Sequence, residues 1–392
     1  MQYRPDRHGE PLSILGYGCM RFTTKLGRID IEKAEKEILY AVRCGVNYFD
    51  TAYIYPGSEA ALGEIFERNG IRDRVKIATK LPHYLVKDRG TMEKYFAEQL
   101  RRLRTDHVEY YLMHMLTDVK SWDRMKELGV LAWLEEKKAA GQIKNIGFSY
   151  HGNSDMFCQL IDAYDWDFCQ IQYNYMDEHS QAGSTGLHYA AAKGIPVVIM
   201  EPLRGGKLAV GLPAAARKRF EEYPVKKTPA QWALHWLWDQ PEVTCVLSGM
   251  NSRAMIRENV RTAREAGAGS LTPGDKKLLA AVRRILNKGM KVGCTGCRYC
   301  MPCPKHVDIP GTFSAYNRLS SEGLFTGMRE YMMCTLLRKD YTGPANCIGC
   351  GKCELHCPQQ IQIRKELQAA RKSLETPVYQ AARKVIPLVM KY

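Results

Sequence analysis

Val75-Lys76-Ile77-Ala78-Thr79-Lys80, then a polar helical run over residues 92–103, then Val108-Glu109-Tyr110-Tyr111-Leu112-Met113-His114: strand, helix and strand follow one another without a break in pattern. The second strand is nearly continuous in apolar residues, and the first, with Val75, Ile77 and Ala78, does not alternate strictly. That marks strands buried on two faces, as in a parallel sheet covered by its connecting helices. The unit recurs along the chain. Strand candidates fall at residues 15–19, 47–52, 75–80, 108–114, 145–149, 168–173, 196–202 and 243–248, preceded by polar helical sequence such as 31–43. Eight such units over about 250 residues predict an α/β fold, a closed (β/α)8 TIM barrel. The turn Leu15-Gly16-Tyr17-Gly18-Cys19 lacks the G-x-G-x-x-G spacing, which argues against an open dinucleotide-binding sheet.

The remaining sequence is of a different kind. With 392 residues the chain exceeds one barrel, and eight of its fourteen cysteines crowd into two short motifs, Cys294–Cys303 and Cys347–Cys357. The expected domains are therefore a barrel over residues 1–285 and a smaller, mainly helical domain over 286–392 that ends in a helical tail. A helix over 274–286 leads out of the barrel, and the tail carries apolar residues at helical spacing, ending Val385-Ile386-Pro387-Leu388-Val389. Hydrophobic residues make up 45% and charged residues 25%, as in a folded globular protein. No apolar run approaches the roughly 18 residues needed to span a bilayer. The polar N-terminus lacks a secretory core, so a cytoplasmic location is expected, where disulfides are rare and clustered cysteines bind metal. The formal net charge is +15. Eight thiolates on two oxidised clusters would bring it to roughly +11. The basic residues are scattered, with no long basic arm, so neither nucleic acid nor membrane is an expected partner.

In a barrel of this type chemistry sits where the strands end. Asp50 closes the second strand, Lys80 the third and His114 the fourth, and Tyr55 follows Asp50 on the next loop. One polar residue at a strand end is an ordinary loop side chain; four in register are not. Their chemistry is complementary. A carbonyl that accepts hydride needs a proton, and a tyrosine beside an ammonium group is a better donor than its ordinary pKa near 10 allows. A carboxylate keeps the ammonium oriented, and an imidazole holds the carbonyl oxygen.

Asp50-Thr51-Ala52-Tyr53-Ile54-Tyr55-Pro56-Gly57-Ser58-Glu59 resembles the aldo-keto reductase signature D-T-A-x-x-Y-G-x-S-E, with Pro56 inserted before Gly57. The resemblance implies Tyr55 as general acid, Lys80 as modifier of its pKa, Asp50 as partner of Lys80, and His114 as orienter of the carbonyl. It also implies nucleotide contacts. These are Gly18 and Met20 after the first strand, Ser149 and Gln170 on the nicotinamide carboxamide, and Met200 where the family stacks a tyrosine. Pro202, Leu203, Gly205 and Gly206 follow, then Ser248, Gly249, Asn251, Arg253, Glu258 and Asn259 in a loop similar to the adenosine-phosphate site. Tyr150 stands where the family has asparagine after the serine, and Met255 where it has a second basic residue. NADP(H) is the expected cofactor and NAD the alternative.

Cys347-Ile348-Gly349-Cys350-Gly351-Lys352-Cys353-Glu354-Leu355-His356-Cys357-Pro358 has the C-x2-C-x2-C-x3-C-P spacing of bacterial ferredoxins. A zinc site needs four ligands and usually shows two separated pairs, so a tight triplet plus C-P points to iron–sulfur. The first motif, Cys294-Thr295-Gly296-Cys297-Arg298-Tyr299-Cys300-Met301-Pro302-Cys303-Pro304, has one residue fewer before its last cysteine. In two-cluster ferredoxins each C-P cysteine serves the other cluster. That pattern groups Cys294, Cys297, Cys300 and Cys357 on one 4Fe-4S cluster, and Cys347, Cys350, Cys353 and Cys303 on the other, with Cys334 the alternative to Cys303. The insert, including residues 309–333, reads as helix, so this segment resembles a helical dicluster ferredoxin. The whole chain resembles aldo-keto reductases with a C-terminal 4Fe-4S domain.

The expected function is NAD(P)H-dependent interconversion of a small carbonyl and alcohol, with two clusters, or at least one, exchanging electrons with a protein partner. The main rival is a non-catalytic electron-transfer or redox-sensing protein whose barrel only binds nucleotide.

Overall fold

A computed structural model describes residues 1–336 and 340–389, the last six of these by backbone alone. Eight parallel strands close into a barrel: β1 (Leu15–Gly18), β2 (Tyr48–Asp50), β3 (Lys76–Leu81), β4 (Val108–Leu116), β5 (Ile143–Tyr150), β6 (Phe168–Gln172), β7 (Val197–Met200) and β8 (Val243–Ser248). Each strand neighbours the next in sequence, and β8 pairs with β1 to complete the ring. All eight lie where the apolar runs place them. The strands are buried along almost their whole length because the ring interior covers one face and helices the other. Two short hairpins not read from the sequence, Tyr3–Pro5 with Pro11–Ser13 and Thr24–Lys25 with Arg28–Ile29, lie outside the ring.

The barrel interior is filled by Tyr48, Ala78, Tyr110, Leu112, Phe168, Val198, Cys245 and Leu247, with Leu12 from the first hairpin. Tyr110 sets its ring edge-on to Phe168 at 5.1 Å and bonds through its hydroxyl to Asp6 of that hairpin at 2.6 Å. The outer helices begin at side-chain caps. Asp30 accepts from the Lys33 amide, Asp88 from the Thr91 amide and Ser252 from the Met255 amide, each satisfying a backbone donor that the first turn leaves without a partner.

The chain divides into two compact units. The first comprises Met1–Pro202 and Ala230–Leu271; the second takes Leu203–Pro229 and everything from Thr272 onward. In the second unit a helix runs over Pro273–Gly289 from a capping box of Thr272 and Asp275. The helical insert is two helices, Ile309–Glu322 and Leu324–Thr335, interrupted at Gly323. Two small cores hold the unit together. One gathers Tyr331, Cys334, Ala370, Leu374 and Tyr379. The other packs Val307, Ile309, Phe313, Ile363 and Leu367 against six cysteines of the two motifs. Helices Ile363–Leu374 and Pro377–Val389 form the tail; the apolar side chains expected at residues 385–389 lie outside the described residues. Among the described residues, no helix is long and apolar enough to cross a membrane.

In the barrel unit, helix Ser58–Arg68 rests on helix Arg89–Leu103 through Gly63, where an added Cβ would stand 2.6 Å from the Leu103 carbonyl carbon. Backbone cannot move aside as a side chain can. Gly63→Ala is therefore expected to destabilise the barrel by about 1–3 kcal/mol, read as a lower urea midpoint by far-UV circular dichroism.

Candidate functional site

Strands β2 and β3 are neighbours, with Asp50 level with Ala78, so Lys80 projects beside Asp50 at the strand ends. The Lys80 ammonium donates to Asp50 Oδ1 at 2.6 Å, to Oδ2 at 2.7 Å and to the Thr51 carbonyl at 2.7 Å. Both side chains are buried. Burial pushes Asp50 up and Lys80 down, and their contact opposes both shifts. With three acceptors around the ammonium, we read the pair as charged. Across the ring, Gln170 on β6 donates from Nε2 to Asp50 Oδ2 at 3.3 Å.

Above this pair sits Tyr55, half-buried, with the Lys80 ammonium 5.3 Å from its ring centre. His114 meets the same ring edge-on at 6.1 Å. The four strand-end residues thus occupy one place. Burial drives His114 well below its ordinary pKa, and Lys80 adds to that shift, so the imidazole is neutral at pH 7. Its Nδ1 is buried with no hydrogen-bond partner among the described residues. A neutral imidazole can donate a hydrogen bond to an oxygen without giving up its proton.

The residues around the tetrad explain the motif that carries it. Thr51 donates to Ser58 Oγ at 2.8 Å, and Ser58 in turn donates to the Cys19 carbonyl at 3.0 Å. Glu59, buried, accepts from Thr79 at 2.7 Å, Gln99 at 3.1 Å and Arg102 at 3.2 Å. Gln99 also donates to the Lys80 carbonyl at 3.0 Å, which fixes the end of β3. The inserted Pro56 is absorbed by the turn. Gly57 takes φ 72°, and Ser58 and Glu59 still begin the following helix.

Three neighbours of the tetrad carry no sequence signal. The Cys19 thiol is buried beside Asp50 and Lys80 and pushed up by burial. His83 and His151 flank β4, His83 through the Met115 carbonyl at 3.4 Å and His151 through its amide to the Leu116 carbonyl at 2.9 Å. Burial lowers both imidazoles to about 4.

In the second unit, Cys294, Cys297, Cys300 and Cys357 line one cavity together with Thr295 and Phe313. Burial pushes the Cys300 thiol up to about 12, and the thiols of Cys294, Cys297 and Cys357 push the same way. Cys353 is raised by burial and Glu354, with Cys347 and Cys303 adding to it. Cys357 of the second motif thus lines the same cavity as the first triplet, and Cys303 of the first motif lies near Cys353 of the second. Cys334 lies in the other small core, its thiol directed to the Tyr331 carbonyl. Among the described residues, no three His, Cys, Asp or Glu groups converge tightly enough for a single metal ion.

The sequence model of the Aldo/keto reductase family matches residues 14–266. The chain belongs to the aldo-keto reductase family. A 4Fe-4S dicluster domain matches residues 293–361 of this reductase. It is 29% identical over 236 residues to an aldo-keto reductase of Mycobacterium sp. (strain MCS), covering 58% of this chain and 74% of that protein. To the NADH-specific methylglyoxal reductase of Escherichia coli it is 25% identical over 278 residues, 60% of this chain and 83% of that one. Its fold matches the holo aldo-keto reductase AKR11C1 of Bacillus halodurans with a TM-score of 0.59 at 23% identity, over 72% of this chain and 96% of that one. An aldo-keto reductase of Klebsiella pneumoniae in complex with NADPH gives 0.57 at 19% identity, over 72% and 95%.

The reductase's expected nucleotide positions fall into separate groups. Gln170 lies at the tetrad, its buried Oε1 without a partner among the described residues. Ser149 Oγ accepts from the Met115 amide at 2.8 Å. Met200 packs against the barrel core, Pro202 is buried after it, and Met20 is exposed. At the end of β8, Ser248 accepts from Asn259 at 3.0 Å, Asn251 bonds the Arg21 carbonyl at 3.4 Å, and the Gly18 and Gly249 backbones pass close together. The Glu258 carbonyl accepts from Thr262, and Arg253 stacks its guanidinium over Tyr40 at 4.8 Å. Leu203, Gly205 and Gly206 belong to the second unit, where both glycines adopt positive φ.

Because His83 and His151 titrate near 4 when folded and 6.5 when unfolded, the unfolded chain takes up protons first as pH falls. The stability these two imidazoles contribute is therefore fully present above about pH 6.5 and declines below it, by about 1.4 kcal/mol per pH unit for each. His151→Gln is expected to remove one such increment. Urea melts between pH 6.5 and 4.5 followed by tryptophan fluorescence check this, because all six tryptophans lie in the barrel unit. Parallel slopes in parent and variant would refute it.

Proposed function

We propose that this aldo-keto reductase interconverts a small carbonyl compound and its alcohol with NADP(H), NAD being the alternative, and that its second domain holds two 4Fe-4S clusters. The observation that carries the barrel half is the buried Lys80–Asp50 pair beneath the Tyr55 ring, with a neutral His114 at the ring edge. A nicotinamide ring fits there because the orphaned Gln170 Oε1 is an acceptor for a carboxamide N–H; when bound, it supplies or accepts hydride. Ser149 would hold the same carboxamide.

The chain's own residues then handle the oxygen. His114 donates to the substrate carbonyl and fixes its direction. Tyr55 gives its hydroxyl proton to the oxygen as negative charge builds, or takes it back in the oxidative direction. The Lys80 ammonium stabilises the resulting phenolate, and Asp50 holds that ammonium in place.

For the second domain, the four-thiol cavity and the unpartnered Thr295 hydroxyl in its wall fit a sulfur-rich group. Cys294, Cys297, Cys300 and Cys357 would hold one cluster, and Cys303, Cys347, Cys350 and Cys353 the other. Bound there, the clusters supply one-electron storage for exchange with a protein partner.

Tyr55→Phe is expected to lower kcat on a panel of aldehydes by at least about 100-fold while cofactor affinity stays within twofold. Unchanged turnover would remove Tyr55 from its role. Anaerobic purification with iron and sulfide counting is expected to give about eight irons per chain, the content of two cubanes. Four would leave a single cluster.

A further inference from the structure

The two cysteine motifs are alike in sequence and unlike in their surroundings. Thr295 follows the first cysteine of one motif; Ile348 holds the same place in the other. Thr295 is 2% exposed and lines the four-thiol cavity, and its hydroxyl has no hydrogen-bond partner among the described residues. A buried hydroxyl left without an acceptor is costly, so an acceptor held in the cavity accounts for it. Ile348 is 63% exposed and has no donor to offer.

Charge differs as well. The second unit includes the stretch Leu203–Pro229, and from it Lys207 donates to the Cys294 carbonyl at 2.7 Å. The lysine stem passes over Gly296, where a Cβ would stand 3.9 Å from Cε. Burial pulls Lys207 below its ordinary pKa and Arg204 adds to that, while Cys294, Glu330 and Cys297 oppose it and favour the ammonium. Arg204 points to the Gly293 carbonyl at 3.4 Å, and Glu330 is held by Arg318 at 2.7 Å. At the second motif the matching cation is Arg364, 3.3 Å from the Gly349 carbonyl, but Glu354 pairs with it at 2.8 Å and cancels most of its field.

Resting on the assignment of a 4Fe-4S cluster to Cys294, Cys297, Cys300 and Cys357, we propose that Thr295 and Lys207 raise the reduction potential of that cluster alone. The Thr295 hydroxyl donates to a cluster sulfur, and the Lys207 ammonium stands against the Cys294 side. On reduction by an external one-electron donor the cluster gains one electron and no bond or proton moves. The negative charge of core plus thiolates grows by one unit, and both donors stabilise that form. Neither residue is a ligand; both act through the field and hydrogen bonding at sulfur.

The test is an EPR-monitored redox titration of the full-length protein under dithionite with mediators. Thr295→Val and Lys207→Met are each expected to lower one of the two cluster midpoints by about 59 mV, a tenfold smaller reduced fraction at fixed potential for one electron. The other midpoint stays put, and Thr295→Ser and Lys207→Arg recover the parent value. Unmoved midpoints at full iron content overturn the proposal, as does an equal shift of both. If Thr295→Val loses iron, Lys207→Met alone decides. A parent protein lacking iron at the first motif would instead overturn the cluster assignment, and the tuning with it.

Discussion

The mouth of the barrel depends on one buried ion pair. Taking a carboxylate and an ammonium out of water is expensive, and their attraction offsets that only where geometry is close and the remaining donors and acceptors are satisfied. Lys80 meets this condition with two carboxylate oxygens and the Thr51 carbonyl, all within 2.7 Å. Such a contact tolerates little error in strand register. Glu59, Thr79 and Gln99 hold the end of β3, and Thr51, Ser58 and the Cys19 carbonyl hold the ends of β1 and β2. The signature residues are thus the girders of the pair, and the turn Tyr55–Gly57 hangs from them.

That pair also sets the electrostatic character of the site. It is neutral overall, yet its ammonium lies on the Tyr55 side, while the imidazoles of His83, His114 and His151 are kept uncharged by burial. An oxygen that develops negative charge there would meet donors and one localised cation. Low dielectric makes each of those contacts stronger than it would be in water.

The second unit solves a different problem. A short, cysteine-rich stretch has little apolar surface of its own, so two small cores of helices carry its stability, and the motif cysteines pack against one of them. Cys357 lines the cavity of the first triplet and Cys303 lies near Cys353, so the two motifs meet across the helical insert.

Periodicity and motif spacing by themselves determined much of this. Continuous apolar runs can be satisfied only by strands buried on both faces, and eight of them at regular intervals leave a closed ring as the economical arrangement. The tetrad was legible because strand-end residues one β/α unit apart must share a rim, and the second cysteine motif because its spacing is that of a cubane. Other features came from tertiary structure alone. His83 and His151 are ordinary loop histidines until β4 brings them beside His114. Glu59 reads as a motif letter until Thr79, Gln99 and Arg102 converge on it from two other elements. The burial of Cys334 in a core apart from the motif cysteines, and the grouping of Leu203–Pro229 with the cysteine-rich unit, depend on contacts between residues far apart in the chain. Local pattern records how a segment is buried; which distant segment buries it is settled only when the chain has closed on itself.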